Sequence, residues 1–317
     1  MRNEAGGTCA DERANTIDSI RPQRLVKRGA VNIAADAIGG HLPIVVNHKR
    51  PTMITFSLPT VTTVRGTIVM VAVMLNSPTV ARAELKVLMS GGFGGAYEKL
   101  LPEFEQTSGI KVATGSGASQ GSGPQTIAAQ LARGVPADVV ILSREGLTEL
   151  IAANKIIGGT DVNLAQVPLG IAVRATAPKP DVSTVAAFKQ TMTKAKKIAL
   201  PGSTSGIWLK NDLFPRLGIA DKVSIEIKAR GTDITNMVAT GDADIGVLPV
   251  SEILVAAGVD YAGALPSEIQ LVQVFAAAVV VDSKERAAAK RLIEFLASPR
   301  ATEAIKNSGM EPIAISR

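Results

Sequence analysis

Residues 127–147, IAAQLARGVPADVVILSREGL, and residues 234–254, ITNMVATGDADIGVLPVSEIL, follow one plan. Each opens with a helical apolar period, breaks at a glycine (Gly134, Gly241) and passes through Ala-Asp into a short run of apolar residues. A serine (Ser143, Ser251) and a second helical stretch follow. An unbroken apolar run between amphipathic helices is the pattern of a strand buried on both faces, as in a parallel βαβ unit. A second echo agrees: 87-VLMSGGF-93 and 198-IALPGSTSG-206 each join a strand to a helix start through a corner of small residues. Two copies of one plan predict two α/β lobes whose strand ends face a shared crevice, the place where such folds hold a ligand.

Working outward, the same alternation predicts strands at 85–89, 138–142, 168–173, 197–201, 244–249 and 271–281. Helices are predicted at 94–107, 124–133, 145–153, 206–217, 234–240 and 284–297. With 46% hydrophobic and 20% charged residues in 317, the chain has the make-up of a folded globular protein. Residues 1–83 differ, carrying turn residues and basic clusters without a sustained apolar period. Within them, Arg65, the apolar run 66-GTIVMVAVML-75, the breakers Asn76, Ser77 and Pro78, and 81-ARA-83 form the order of a cleaved secretory signal. Ten apolar residues fall well short of the ~20 that a spanning helix needs. The expectation is a signal peptide over 53–83, cleavage after Ala83, export to the periplasm, and an over-extended start over 1–52.

Removing that segment changes the chemistry available. Residues 1–83 carry 10 Lys+Arg against 5 Asp+Glu, leaving 24 and 23 of the chain's 34 and 28, so the net charge drops from +6 to +1. No basic stripe with interleaved aromatics remains, which argues against nucleic acid as a partner. Cys9, His41 and His48 go too, and they are the only cysteine and histidines. Cysteine nucleophiles, Ser-His-Asp triads and thiolate or imidazole metal sites are thereby excluded, and no metal or cofactor is expected.

The small-residue corners are then the candidate site. The stretch 91-GGFGGAY-97 meets neither the G-x-x-x-x-G-K-[ST] phosphate-loop pattern nor the dinucleotide fingerprint. What it offers is a helix start whose unpaired N–H groups and dipole can take an anion. In 201-PGSTSGIWLK-210 several hydroxyls precede a helix where capping needs only one. The candidate ligand-binding residues are Ser90, Gly91, Gly92 and Phe93 from one lobe and Ser203, Thr204, Ser205 and Gly206 from the other. Ser251, at a strand end like Ser143, joins them. The loop 115-GSGASQGSG-123 reads as a flexible connector, and Trp208 as packing. Arg174, ending an apolar strand, is read either as a solvated strand end or as a carboxylate clamp in the crevice.

The order of these motifs resembles the periplasmic binding proteins of molybdate-type transport systems. It includes 134-GVPADVVILS-143, 171-IAVRATAPKP-180, 203-STSGIWLK-210 and 295-FLASP-299, and the likeness runs over residues 84–317. The resemblance implies a bilobal type II binding-protein fold, with one lobe from 84–165 plus 275–317 and the other from 166–274. Strands near 168–174 and 271–281 would form the hinge. It also implies a small anionic ligand, an inner-membrane ABC permease as partner, and a monomer. Where molybdate binders place a serine and a tyrosine, this chain has Gly92 and Pro249, neither of which offers a hydroxyl. The S-G-G-F corner and 173-VRATAPKPD-181 are similar to a second branch, periplasmic aconitate isomerases, which move a proton across an allylic tricarboxylate. For that chemistry the candidate bases are Tyr97, Glu98, Lys99, Asp138 and Glu252.

Overall fold

A computed structural model describes residues 84–314. The expected signal peptide and cleavage site, and the expected over-extended start, all lie outside the described residues.

Four strands of consecutive apolar residues organise the molecule. The strands β1 (Glu84–Met89), β2 (Lys111–Ser116) and β3 (Val139–Ser143) pair in parallel with β1 in the middle. The strand β4 (Val162–Arg174) leads to a second parallel set, β5 (Ile198–Pro201), β6 (Ile225–Lys228) and β7 (Ile245–Pro249), with β5 in the middle. The strand β8 (Val259–Ala264), the long β9 (Val272–Val279) and the short β10 (Glu311–Pro312) complete the set. The two parallel sets thus repeat one topology, as the sequence echo predicts.

β4 belongs to both halves. Its first part, Val162–Pro168, pairs antiparallel with β9, which in turn pairs with β3. Its second part pairs antiparallel with β7 and β8. Buried side chains cover both faces of each half. On the first half, α1 (Gly94–Ser108) supplies Tyr97, Leu100 and Phe104 to one face, while α2 (Ile127–Ala132) and α3 (Arg144–Ala152) supply Ile127, Leu147 and Leu150 to the other. On the second half, α4 (Val185–Lys194) packs Phe188 and Met192 on one side. Beside it, α5 (Thr204–Trp208) continues through a π turn, Leu209–Leu213, into α6 (Phe214–Arg216). The other side carries α7 (Gly231–Thr240) and α8 (Val250–Ile253). The chain closes with α9 (Arg286–Leu296) and α10 (Thr302–Lys306) against the first half. No helix among the described residues is long and apolar enough to cross a membrane.

The echoed aspartates explain why both units begin alike. Asp138 accepts the Lys86 N–H at 2.9 Å and the Ser283 hydroxyl at 2.8 Å, while Asp244 accepts the Lys196 N–H at 2.6 Å. Each carboxylate ties the entry of its strand to the neighbouring parallel strand, a charge-assisted bond stronger than a neutral one.

Candidate functional site

The C-terminal ends of the parallel strands of both halves meet. Beyond β1, Ser90 leads through a 3-10 turn, Gly91–Phe93, into α1. Beyond β5, Ser203 precedes α5, and beyond β7, Pro249 precedes α8. Ser143 Oγ and Thr204 Oγ1 lie 2.7 Å apart, joining the end of β3 to the start of α5. Ser251 donates its hydroxyl to the Gly92 carbonyl at 2.7 Å, joining α8 to the corner after β1. Both bonds are buried.

The loop after β2 completes the site and is not the flexible connector its composition indicates. Ala118 pairs with Gln125 and Thr126, and Ser119 Oγ accepts the Ser143 N–H at 3.0 Å. Gly121 has φ +111° and lies so close to the second corner that a Cβ there would sit 2.5 Å from the Gly202 carbonyl. Glycine answers both demands.

Within this enclosure the polar groups differ in what they have left to offer. Ser90 is 5% exposed and its hydroxyl has no hydrogen-bond partner. A buried hydroxyl without a partner carries a desolvation cost that a ligand oxygen can relieve. Ser251 and Thr204 already have protein partners. Ser203 leaves the α5 start uncapped by any side chain, and α7 begins at Gly231 with no side-chain cap on its first N–H groups. The α7 start, read from sequence as beginning three residues later, is therefore part of the site.

Two expectations need correction. Phe93 is fully buried in the core beneath α1, so only its backbone borders the site. Arg174 lies at the far end of β4: the strand runs antiparallel to β7, with Leu169 opposite Pro249 and Ala172 opposite Gly246. Its exposed side chain instead lines a separate hollow of about 350 Å³ with Lys194, Gly241 and Asp244. The convergent helix starts and the orphaned hydroxyl are elsewhere. Gly92 and Gly206 are required by packing. A Cβ on Gly92 would sit 2.6 Å from Phe275 Cε2, and one on Gly206 would sit 2.8 Å from the Pro201 carbonyl carbon.

Of the candidate bases, four are accounted for by structure. Asp138 is held by its two donors. Tyr97 is buried, shares a 2.9 Å bond with Thr114 Oγ1, and is pushed by desolvation up to about 12. Glu98 is exposed on α1, and Lys99 reaches the Asn307 carbonyl. Glu252 is different. A Cβ on Gly91 would meet its Oε2 at 2.8 Å, and one on Gly231 would meet its Cδ at 2.7 Å, so the carboxyl is wedged between the corner after β1 and the start of α7. It has no hydrogen-bond or ion-pair partner among the described residues. The residue is partly buried, and desolvation pushes its carboxyl up to about 7.

Comparison with known proteins places these features in context. The profile of the bacterial extracellular solute-binding proteins matches residues 85–311. An aconitate isomerase from a Pseudomonas species is 37% identical over 254 residues, covering 78% of this chain and 96% of that one. Among solved structures, the periplasmic molybdate-binding protein of Azotobacter vinelandii superposes with a TM-score of 0.56 at 21% identity, covering 71% of this chain and 98% of that one. The sulfate-binding protein SubI of Mycobacterium tuberculosis gives 0.60 at 19% identity, covering 73% and 87%.

Proposed function

This chain belongs to the bacterial extracellular solute-binding protein family and has the family's bilobal α/β fold, and from that premise we propose that it holds a small polycarboxylate between its lobes and isomerises it, as an aconitate isomerase. The lobes are 84–165 plus 275–317 and 166–274, and the protein works in the periplasm after cleavage behind Ala83. Ser90, the backbone of Gly91 and Gly92, the 203–206 corner and the start of α7 receive carboxylate oxygens. Helix-start N–H groups and a hydroxyl suit such an acceptor without requiring a cationic side chain.

The observation that carries this reading is the unspent Ser90 hydroxyl set beside helix starts that no side chain caps. A tetrahedral metal oxyanion needs a closed cage of donors. Here the hydroxyl positions that the molybdate-type resemblance calls for are Gly92 and Pro249, and Ser251, the nearest replacement, gives its proton to the Gly92 carbonyl. The isomerase relative, similar across 96% of its length, supports the same choice. A second reading, a receptor delivering a small anion to an ABC permease, draws support from the molybdate- and sulfate-binding neighbours.

A thermal-shift panel on the full chain separates the two, using molybdate, tungstate, sulfate, citrate and both aconitate isomers. Ligand at ~1,000 times its dissociation constant stabilises the fold by about 4 kcal/mol. A response to the tricarboxylates, with interconversion of the aconitates, is expected. A response to the metal oxyanions alone would replace this reading with the transport receptor.

A further inference from the structure

We propose that Glu252 is the catalytic residue that carries the proton, an assignment that rests on the isomerase reading. The case is geometric. α8 leaves β7 at the strand's C-terminal end and sets the Glu252 carboxyl against Gly91 and Gly231. Gly91 follows the orphaned Ser90 hydroxyl, and Gly231 opens α7, so the carboxyl stands between the donors that would hold the substrate. Both neighbours are glycines, and side chains at either position would displace it.

Its freedom is the second part. The charged groups on the elements packed against α8 are engaged or turned outward. Arg230 pairs with Asp233 at 3.0 Å, Lys99 reaches a carbonyl, and Asp260 pairs with Lys179 at 3.9 Å. Glu98 and Arg174 are exposed. Neither these nor the tyrosines of α1 and β8 bond to Glu252, and burial alone accounts for its raised proton affinity. A base that titrates near the working pH is the one best able both to take and to return a proton.

The step balances without a co-reactant. The carboxylate takes a proton from the methylene beside the double bond, and the C–H electron pair spreads over three carbons and the adjoining carboxylate. The double bond migrates as the same pair takes the proton back at the far carbon, and Glu252 ends as it began. Ser90 and the helix-start N–H groups face the charge that builds on the substrate carboxylate.

The test measures aconitate interconversion by the full chain, wild type and Glu252→Gln, with Glu252→Asp as a second variant that keeps the acid but withdraws it. Glu252→Gln should lower kcat by at least about a hundredfold while keeping the thermal shift with citrate, which shows that it folds and binds. Wild-type kcat/KM should fall as pH drops through about 7, a limb that the Gln variant lacks and the Asp variant displaces. Activity of Glu252→Gln within tenfold of wild type, or an unchanged pH limb, would overturn the assignment and leave the isomerase reading intact. A wild type that binds tricarboxylates and converts neither isomer would remove that reading and the assignment together.

Discussion

Replacing Glu252 with glutamine should stabilise the protein increasingly as pH rises above about 4.5, and by the full amount above about pH 7. The carboxyl titrates from its ordinary 4.5 in the unfolded chain to about 7 in the folded one. The folded state therefore binds the proton more tightly, and stability is lost as pH rises from about 4.5 through 7. Each unit of difference is worth 1.36 kcal/mol, so the full shift amounts to about 3 kcal/mol. Below about pH 4.5 the group is neutral in both states and the wild type and variant should match, apart from a constant offset for the amide. Above about pH 7 the wild type carries the whole penalty and the variant none. Urea unfolding of both proteins at 25 °C across pH 4 to 8.5 reads this directly, because every other titrating group cancels in the difference. In thermal melts at pH 8 the gap corresponds to roughly 6–12 °C for a domain of this size. A stability difference that stays flat with pH would show that the carboxyl is solvated in the folded protein. The argument for its poised charge would then fail.

Three other expectations follow from the same packing. Arg174→Ala should leave the tricarboxylate thermal shift unchanged, since the side chain lies at the opposite end of β4; a lost shift would return it to the site. Gly92→Ala should cost about 1–3 kcal/mol in urea unfolding, because the new methyl overlaps the Phe275 ring, and Phe275→Leu in the same chain should recover part of it. Thr204→Val should cost about 1 kcal/mol, and a double-mutant cycle with Ser143→Ala should return a coupling energy of similar size, with zero coupling refuting the hydroxyl pair that joins the halves.

What the sequence makes legible follows burial. β1, β3, β5 and β7 are apolar through most of their length and the sequence locates them within a residue or so, because a strand covered on both faces leaves an unbroken run. The half-exposed strands β2, KVATGS, and β6, IEIK, lack that run and leave no strand signal in the sequence, and nor does β8. The first half of β4 was missed because Asn163 and Gln166 interrupt it. The misplacement of Arg174 has a different cause. Strand ends face the crevice only in the parallel sets, and nothing local in 168-PLGIAV-173 reveals that this strand runs against its neighbour. The glycine- and serine-rich loop after β2 is ordered against its composition, because composition reports conformational freedom in isolation and is silent about what the loop packs against.

Glu252 shows the limit most clearly, and also why the structure resolves it. Sequence offers five candidate bases and places none of them. Asp138 stands in the first echoed unit and Asp244 and Glu252 in the second, and residue type does not tell them apart. Folding does, by giving the first two backbone N–H donors and Glu252 none. An acid that ties one strand to the next contributes to stability, whereas a partly buried acid without a donor detracts from it at pH 8, by up to about 3 kcal/mol. Glutamine would fill the same space without the charge, so packing alone gives no reason for a carboxyl there. Its position between two glycines from different halves of the molecule, beside a hydroxyl that also lacks a partner, suits the proton-transfer role proposed for it.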